Sequence, residues 1–409
     1  MSLTIKRPKL SWPVILLLIA AAILLIAIVR TVSDADDMAS AGTVRAALRA
    51  AVPIGLAGLG GLWAERAGVV NIGLEGMMIM GTIGAGWAGY QWGMWAGVVA
   101  ALAFGAIAGL LHAVATVSFG VDHIVSGVAI NIIATGAAQY LAAQWFTGKQ
   151  GGGPTQSPPV DTLPSITIPG VSDGLGKLAA HHWFFVSDLA ALLDGFVSQL
   201  SILTVIAALL FVLTWWVLWR TTFGLRIRSV GEAPAAAESL GVDVYLYKYA
   251  AVIISGALAG LAGAFLVNDA TVYREGQTGG RGYIGLAAMI FGNWRPGGLA
   301  TGAGLFGYTD ALRLRSGGAS VHALLLLVAI VLIIAAVLFY RLRRSRGQAI
   351  GTVVFALVML AIYLLIDEVP DDFTGMTPYL ATLIVLSFAG GRLRPPAADG
   401  QVYRKGSAG

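Results

Sequence analysis

The chain has 409 residues, 57% of them hydrophobic and 11% charged, with a formal net charge of +5 at pH 7. A soluble domain carries about 25% charged residues, so this composition excludes one, and repeated apolar runs near the roughly 20 residues that span a bilayer as helix exclude an outer-membrane barrel, whose strands alternate over about 10 residues. The absence of cysteine excludes disulfides, thiol catalysis and cysteine-bound metals, and the Lys and Arg excess follows the positive-inside rule rather than forming a nucleic-acid surface.

An apolar run at 12–29 follows Lys6, Arg7 and Lys9. An A-x-A-like site at 39–41 suggests a cleaved leader, but it lies past an acidic stretch and the run is long. The run is therefore read as a retained first helix with its N-terminus inside. The acidic loop TVSDADDMAS suits the outer side, and a second span at 44–62 returns the chain inside at 63–70, with Glu65 and Arg66. Further apolar runs cover 74–90, 94–117 and 124–146. Residues 147–173 are rich in Gly, Pro, Ser and Thr and read as an external loop, since lipid cannot satisfy such a backbone. Residues 182–200 are amphipathic enough to lie on the membrane surface before the span at 201–219.

Residues 220–248 form the longest charged connection, with Arg220, Arg226, Arg228, Glu232, Glu238, Asp243 and Lys248, and are expected inside. A span at 249–267 follows, then an outer segment at 268–281. The apolar segment 282–312 is interrupted by NWRPGG at 293–298, and its first piece is too short to cross alone. Next come 321–340, the basic loop RLRRSRG, 349–366, the acidic loop DEVPDDF, 377–390, and an inner tail with Arg392, Arg394, Arg404 and Lys405. Parity of the crossings makes 282–312 a broken re-entrant pair, because the basic loop at 341–346 belongs inside. It also puts Arg313 and Arg315 outside, against the charge rule.

Two fragments recur in the same order. LAGLGG at 56–61 resembles LAGLAG at 258–263, and IGLxxM at 72–77 returns at 284–289. With the first span running inward and the second outward, the halves become inverted repeats, a transporter signature with the pathway at their interface. The expected fold is an all-α polytopic membrane protein of about 9–11 membrane helices with an inverted repeat and a broken re-entrant segment. Its parts are an extra N-terminal helix and external loop at 1–40, a first repeat at 41–146 and an external region at 147–200. A second repeat at 201–346 carries the charged connection, and C-terminal helices and a tail occupy 347–409.

Polar residues in apolar runs are the candidate site. Asn71 and Glu75 sit in AGVVNIGLEGMMIMG, either as helix-end groups favoured by the dipole or as lining of a pathway. Asn131 and Gln139 lie mid-span, where hydrogen bonds between helices are the ordinary role and pathway lining the alternative. Asp122 reads as an N-cap ahead of His123. The stretch RSVGEAPAAAESLG at 228–241 fits a short helix with Pro234 in its first turn and Gly241 at its end. It is either a solvated loop helix or a docking helix with a small alanine face. GRGYIG at 280–285 matches G-x-G-x-x-G but lacks a preceding strand, so its glycines are read as tight packing at a broken helix. No G-x-x-x-x-G-K-[ST] loop exists, and adjacent His181 and His182 lack the spacing of a helical metal pair.

AERAGVVNIGLEGMMIMG resembles the signature of bacterial ABC-importer permeases of the branched-chain amino acid, ribose and nucleoside type, with Asn71, Gly73, Glu75 and Gly76 on its N-x-G-x-E-G pattern. VDHIVSGVAINIIATG, GEAPAAAESLGVDVYLYKYAAVIISGALAGLAGAFL and GGRGYIGLAAMIFGNWRPGG resemble later segments of that family, in the right order over 41–312. The resemblance is nearest to nucleoside (simple sugar) permeases. It implies a transport subunit rather than an enzyme, in the bacterial cytoplasmic membrane with both termini inside. Asn71, Glu75, Asn131 and Gln139 become candidates for the path of a small polar solute. Arg228, Glu232, Pro234, Ala236 and Gly241 become candidates for an ATPase-coupling loop. The implied partners are a cytoplasmic ATPase subunit that holds ATP and magnesium, a second, related permease subunit, an external substrate-binding lipoprotein and membrane lipid. This chain would bind no cofactor, metal or nucleic acid itself. The rival readings are an ion-driven secondary transporter, which needs deep acids or an ion site, and an intramembrane enzyme, which needs clustered acids, His or Arg at one face.

Overall fold

The computed structural model describes residues 12–181, 183–343, 346–370, 373, 376 and 393–406. The expected span at 377–390, the basic residues Lys6, Arg7 and Lys9, and also His182 and Arg392, lie outside the described residues. Among the described residues fourteen α-helices follow in order: α1 (Trp12–Ser33), α2 (Ala41–Arg66), α3 (Leu74–Trp92), α4 (Met94–Ala113), α5 (His123–Phe146), α6 (Val171–Ala179) and α7 (Val186–Gly195) lead. Then come α8 (Ile202–Arg220), α9 (Thr222–Glu232), α10 (Pro234–Ser239), α11 (Val244–Ala270), α12 (Arg281–Phe291), α13 (Pro296–Leu338) and α14 (Arg346–Leu365). The strands β1 (Ser165–Ile166) and β2 (Leu200–Ser201) form one antiparallel pair. Among the described residues seven helices are long and apolar enough to cross a membrane, and Ala20–Ser33 and Arg281–Phe291 are shorter apolar helices. The chain is an all-α polytopic membrane protein.

Local chemistry accounts for the helix ends. Asp122 caps α5 by accepting from the backbone amides of Ile124 and Val125, as its place before an apolar run predicts. The helix expected over 228–241 is instead two helices, parted at Ala233 (φ −152°, ψ 80°). Pro234 disfavours helical backbone in the residue before it and opens α10 where no amide proton is needed. Gly241, at φ +81°, ends that segment. The loop expected at 147–173 gives way to helix at Val171, three residues early.

The break expected within 282–312 separates α12 from α13. Asn293 and Trp294 there adopt φ of 54° and 53°. A left-handed tryptophan is costly, and its surroundings hold it. The Trp294 carbonyl accepts from Arg66 Nη2 at 2.6 Å and Nε at 3.0 Å, while its indole N–H donates to Glu65. A second interruption falls at Gly317 inside α13, with φ 55° and ψ −134°.

The chain divides into two compact units. One comprises Met1–Arg45, Thr167–Gln199 and Thr309–Thr377. Three of its arginines are matched to acids: Arg30 to Asp188 at 2.9 Å, Arg315 to Asp37 at 3.2 Å and Arg313 to Asp310 at 3.0 Å. Arg313 and Arg315, which oppose the charge rule, therefore have carboxylate partners.

The other unit comprises Ala46–Ile166, Leu200–Tyr308 and Pro378–Gly409. Helices α2 and α11 are its interior, each 72% buried over its most apolar window, against 22% for α8. Helix α8 turns Leu209, Val212, Leu213, Trp215 and Trp216 outward, where lipid accepts them without penalty. Small residues bring the central backbones together. A Cβ on Gly260 of α11 would lie 2.1 Å from the Ala101 carbonyl oxygen of α4, and one on Gly105 of α4 would lie 2.2 Å from that of Gly256. Without a hydrophobic drive between helices in lipid, such close backbone contact supplies the association energy.

Gly260→Val is expected to force α4 and α11 apart at a cost of about 3 kcal/mol, read as a fall in melting temperature of the detergent-solubilised protein. Gly136→Val, at a position with nothing within 4 Å of the added Cβ, is expected to melt near the parent. Equal melting of both variants would contradict the packing account.

Candidate functional site

The site is built on the loop between α2 and α3. The amides of Ala67, Gly68 and Val69 bond back to the end of α2, and polar side chains from three other helices serve the groups that remain. The Val70 amide donates to His123 Nδ1 at 3.2 Å, and Lys248 Nζ donates to the Gly68 carbonyl at 3.3 Å. His112 Nε2 lies 3.1 Å from the Val70 carbonyl and its Nδ1 lies 2.8 Å from Ser126 Oγ. A carbonyl only accepts, so Nε2 carries the His112 proton and Nδ1 accepts from Ser126 in the neutral ring. Asn71, fully buried, donates to Ser255 Oγ at 2.8 Å and lies 3.3 Å from the Met77 sulfur.

Glu75, in the first turn of α3, reaches a second helix. Its two carboxylate oxygens accept from the amides of Gly280 at 3.0 Å and Gly282 at 2.7 Å, at the N-terminus of α12. The carboxylate thus lies at the positive ends of both α3 and α12. Gly282 has to be glycine for this approach, since a Cβ there would sit 2.6 Å from the Glu75 backbone. Asn131 of α5 lies against the same junction. Its oxygen accepts from the Gly76 amide at 2.7 Å, and its nitrogen donates to the Ile72 carbonyl at 3.0 Å and the Tyr283 hydroxyl at 2.9 Å.

Beside this junction is a cavity of about 300 Å³, lined by Glu75, Thr82, Thr135, Gln139, Tyr273 and Glu275 together with Arg274 and residues 276–280. Gln139 Nε2 donates to Glu275 Oε1 at 2.6 Å across it. Burial and the neighbouring Glu275 charge push the Tyr273 phenol up to about 12, so it stays a hydrogen-bond donor. Hydroxyls, an amide, carboxylates and peptide groups give the cavity both donors and acceptors, and its size suits a small polar solute. Its chemistry is reversible hydrogen bonding. Among the described residues no group of three or more His, Asp or Glu could hold a metal ion.

The structure brings Glu75 and Gln139 onto one cavity. Asn71 and Asn131 lie in the packing behind it: both ends of the Asn131 amide are spent on neighbouring segments, while Asn71 spends its nitrogen on Ser255 and its buried oxygen has no hydrogen-bond partner. The residues of 228–241 lie apart from the cavity, at the helix ends that also carry Glu65 and Arg66. Arg228 and Arg66 stack on Trp219 at 5.7 Å and 5.4 Å. Glu232 Oε2 accepts from the Ala397 amide at 3.2 Å, Pro234 opens α10, Ala236 is exposed and Gly241 has open space around it. Glu275, Tyr273, Ser255 and His112 were not singled out from the sequence. His112 and Ser255, polar groups inside apolar runs, carried a usable signal, whereas Glu275 sits in an ordinary polar loop.

Residues 43–362 match the family described as branched-chain amino acid transport system / permease component. The guanosine ABC transporter permease protein NupQ of Bacillus subtilis is 33% identical over 371 residues, covering 89% of this chain and 96% of NupQ. The nucleoside ABC transporter permease protein NupC of Lactococcus lactis is 32% identical over 363 residues, covering 86% of this chain and 93% of NupC. A second guanosine ABC transporter permease protein of Bacillus subtilis, NupP, is 26% identical over 268 residues, covering 64% of this chain and 70% of NupP. No solved structure matches. With four-fifths of its length inside the family match and two relatives aligned almost end to end, this chain belongs to the branched-chain amino acid transport permease family.

Proposed function

We propose that this chain is the membrane-spanning subunit of an ATP-binding-cassette importer for nucleosides, with the 300 Å³ cavity on the solute path. The observation that carries the reading is the mixed donor and acceptor lining of that cavity, in a chain of a permease family whose relatives NupQ and NupC are nucleoside permeases by name. A nucleoside offers ribose hydroxyls and base edges, and the Gln139–Glu275 pair with Thr82 and Thr135 supplies partners for them. Both cavity acids already hold hydrogen bonds, which favours solute binding over proton carriage by a free carboxylate.

The remaining parts of the machine belong to other chains. A cytoplasmic ATPase subunit holds ATP and magnesium, and an external lipoprotein delivers the solute. A second, related permease subunit completes the path, in keeping with the two related guanosine permeases of Bacillus subtilis. Segment α9–α10 is the ATPase-coupling loop on the cytoplasmic side. Its outward face, with Ala236 exposed and Leu240 85% exposed, is small and apolar enough to seat in a partner's cleft. Both termini are then cytoplasmic, in the bacterial cytoplasmic membrane.

Three outcomes test this reading. Gln139→Ala and Glu275→Ala each remove one polar cavity group, and each is expected to raise KM for nucleoside uptake about tenfold, the equivalent of one hydrogen bond of roughly 1.4 kcal/mol. Radiolabelled uptake in proteoliposomes holding the whole importer measures this, and unchanged KM in both would remove the cavity from the path. Glu75→Gln replaces one accepting oxygen with an amide that faces an N–H group, and is expected to cost about 2 kcal/mol, seen as a lower melting temperature. Melting at the parent temperature would mean the Glu75 contacts contribute little. Ala236→Arg and Gly241→Pro are expected to leave the subunit inserted while separating ATP hydrolysis from uptake; normal uptake per ATP in both would sink the coupling assignment.

A further inference from the structure

The C-terminal tail, expected only to be a charged inner end, is laid across the helix ends that carry the coupling loop. Its backbone is tied at successive points. The Arg394 amide donates to Asn293 Oδ1 at 2.8 Å, at the α12–α13 break. The Ala397 amide donates to Glu232 Oε2 at 3.2 Å and the Ala398 amide to the Gly231 carbonyl at 2.9 Å, both at the end of α9. The Gly406 amide donates to Glu238 Oε2 of α10 at 3.4 Å. Its internal bonds are confined to one turn, where the Asp399 amide donates to the Pro396 carbonyl at 3.1 Å and the Gln401 amide to the Ala398 carbonyl at 3.2 Å, so the ties to the helices decide where the segment rests.

Side chains reinforce the ties. The Tyr403 ring, 9% exposed, packs edge-on against Tyr245 of α11 with centroids 5.8 Å apart, and its hydroxyl bonds to Glu238. Asp399 faces Glu65 at the end of α2, with Arg66 and Lys248 as the nearby cations, and burial lifts its carboxyl to about 6. Ala398 and Gly400 lie against Gly68 and Val70, in the loop that leads to Asn71 and Glu75. One short segment therefore touches the end of α9, α10, the helix break and the loop before α3.

We propose that residues 393–406 are a strap that positions the coupling segment, holding α9 and α10 through Glu232 and Glu238 and joining their movement to the 67–70 loop at the foot of the solute path. Asp399 and Tyr403 are its positioning residues. The inference rests on the reading of α9–α10 as the ATPase-coupling loop. Displacement of α10 by a partner pulls on Glu238, hence on Tyr403 and the tail, whose other contacts include the end of α9, the helix break at Asn293 and the 67–70 loop. The strap thus supplies a second mechanical route beside the direct α9–α11 packing.

The test uses the complete importer in proteoliposomes and reads nucleoside taken up per ATP hydrolysed. That ratio does not depend on how much complex survives. Removal of residues 393–409 is expected to lower it roughly tenfold, in the usual range of coupling between sites, while the subunit still co-purifies with its partners. Tyr403→Ala and Asp399→Leu are expected to lower it in the same direction. Asp399→Asn, which keeps a hydrogen-bonding group beside Glu65, is expected to restore most of it, and Tyr403→Phe, which keeps the ring against Tyr245 but loses the hydroxyl bond to Glu238, only part of it. If the truncated chain does not assemble, these four point variants decide the question by the same ratio. Ala236→Arg separates the two readings, because Ala236 has no contact with the tail among those described above. Parental ratios in the tail variants alongside a lowered ratio in Ala236→Arg overturn the strap and leave the coupling loop standing. Parental ratios in all of them overturn both.

Discussion

The carboxylate of Glu75 accepts from the amides of Gly280 and Gly282, residues more than 200 positions away. Most of the site depends on this interaction. A helix of 11 residues such as α12 begins with amide groups that have no partner in its own coil. In hydrocarbon each unmet amide costs several kcal/mol. Glu75 answers two of them with charge-assisted hydrogen bonds, and the two helix N-termini in turn stabilise its charge. The cavity wall formed by 276–280 is held in place by the same bonds, so a polar surface exists where lipid-facing sequence would otherwise close.

The same principle explains the loop before α3. His112, His123, Lys248, Ser126 and Ser255 lie in runs that are otherwise apolar, and each spends its polar atoms on the 67–71 backbone or on a side chain beside it. Irregular backbone packed among membrane helices is tolerated only where protein surrounds it. The glycine contacts between α4 and α11 complete the arrangement. They give close backbone contact without large side chains to interlock, which suits helices that shift against one another during transport.

At the same end of α2, beside that loop, Glu65 and Arg66 hold the Trp294 turn while Arg66 shares Trp219 with Arg228. One helix end therefore connects the interruption between α12 and α13 with the first helix of the coupling segment. An outward-facing Leu240 beside a glycine in left-handed conformation gives that segment a protruding apolar tip on a compliant turn. Such a tip is costly in water and is stabilised when a partner covers it.

Much of the architecture was legible in the sequence. The apolar runs located the spans, because the length of a run against bilayer thickness is a local property. Asn293, Pro296 and the flanking glycines marked the helix break, and Asp122 marked the start of α5, because turn and cap chemistry act within a few residues. Pro234 marked the start of α10, although the interruption it forces at Ala233 was not anticipated. The partners of those residues were not legible. That Glu75 meets Gly280 and Gly282, that Gln139 meets Glu275, that Glu65 and Arg66 hold Trp294, and that the tail reaches Glu232 and Tyr245 are decisions of the tertiary structure. Alanine, glycine and leucine repeat along every span, so hydrophobicity alone is nearly indifferent to which helix packs on which. The choice falls to buried polar groups that must each find a partner and to backbones that approach only at glycine, and both conditions are met across hundreds of residues rather than along the chain.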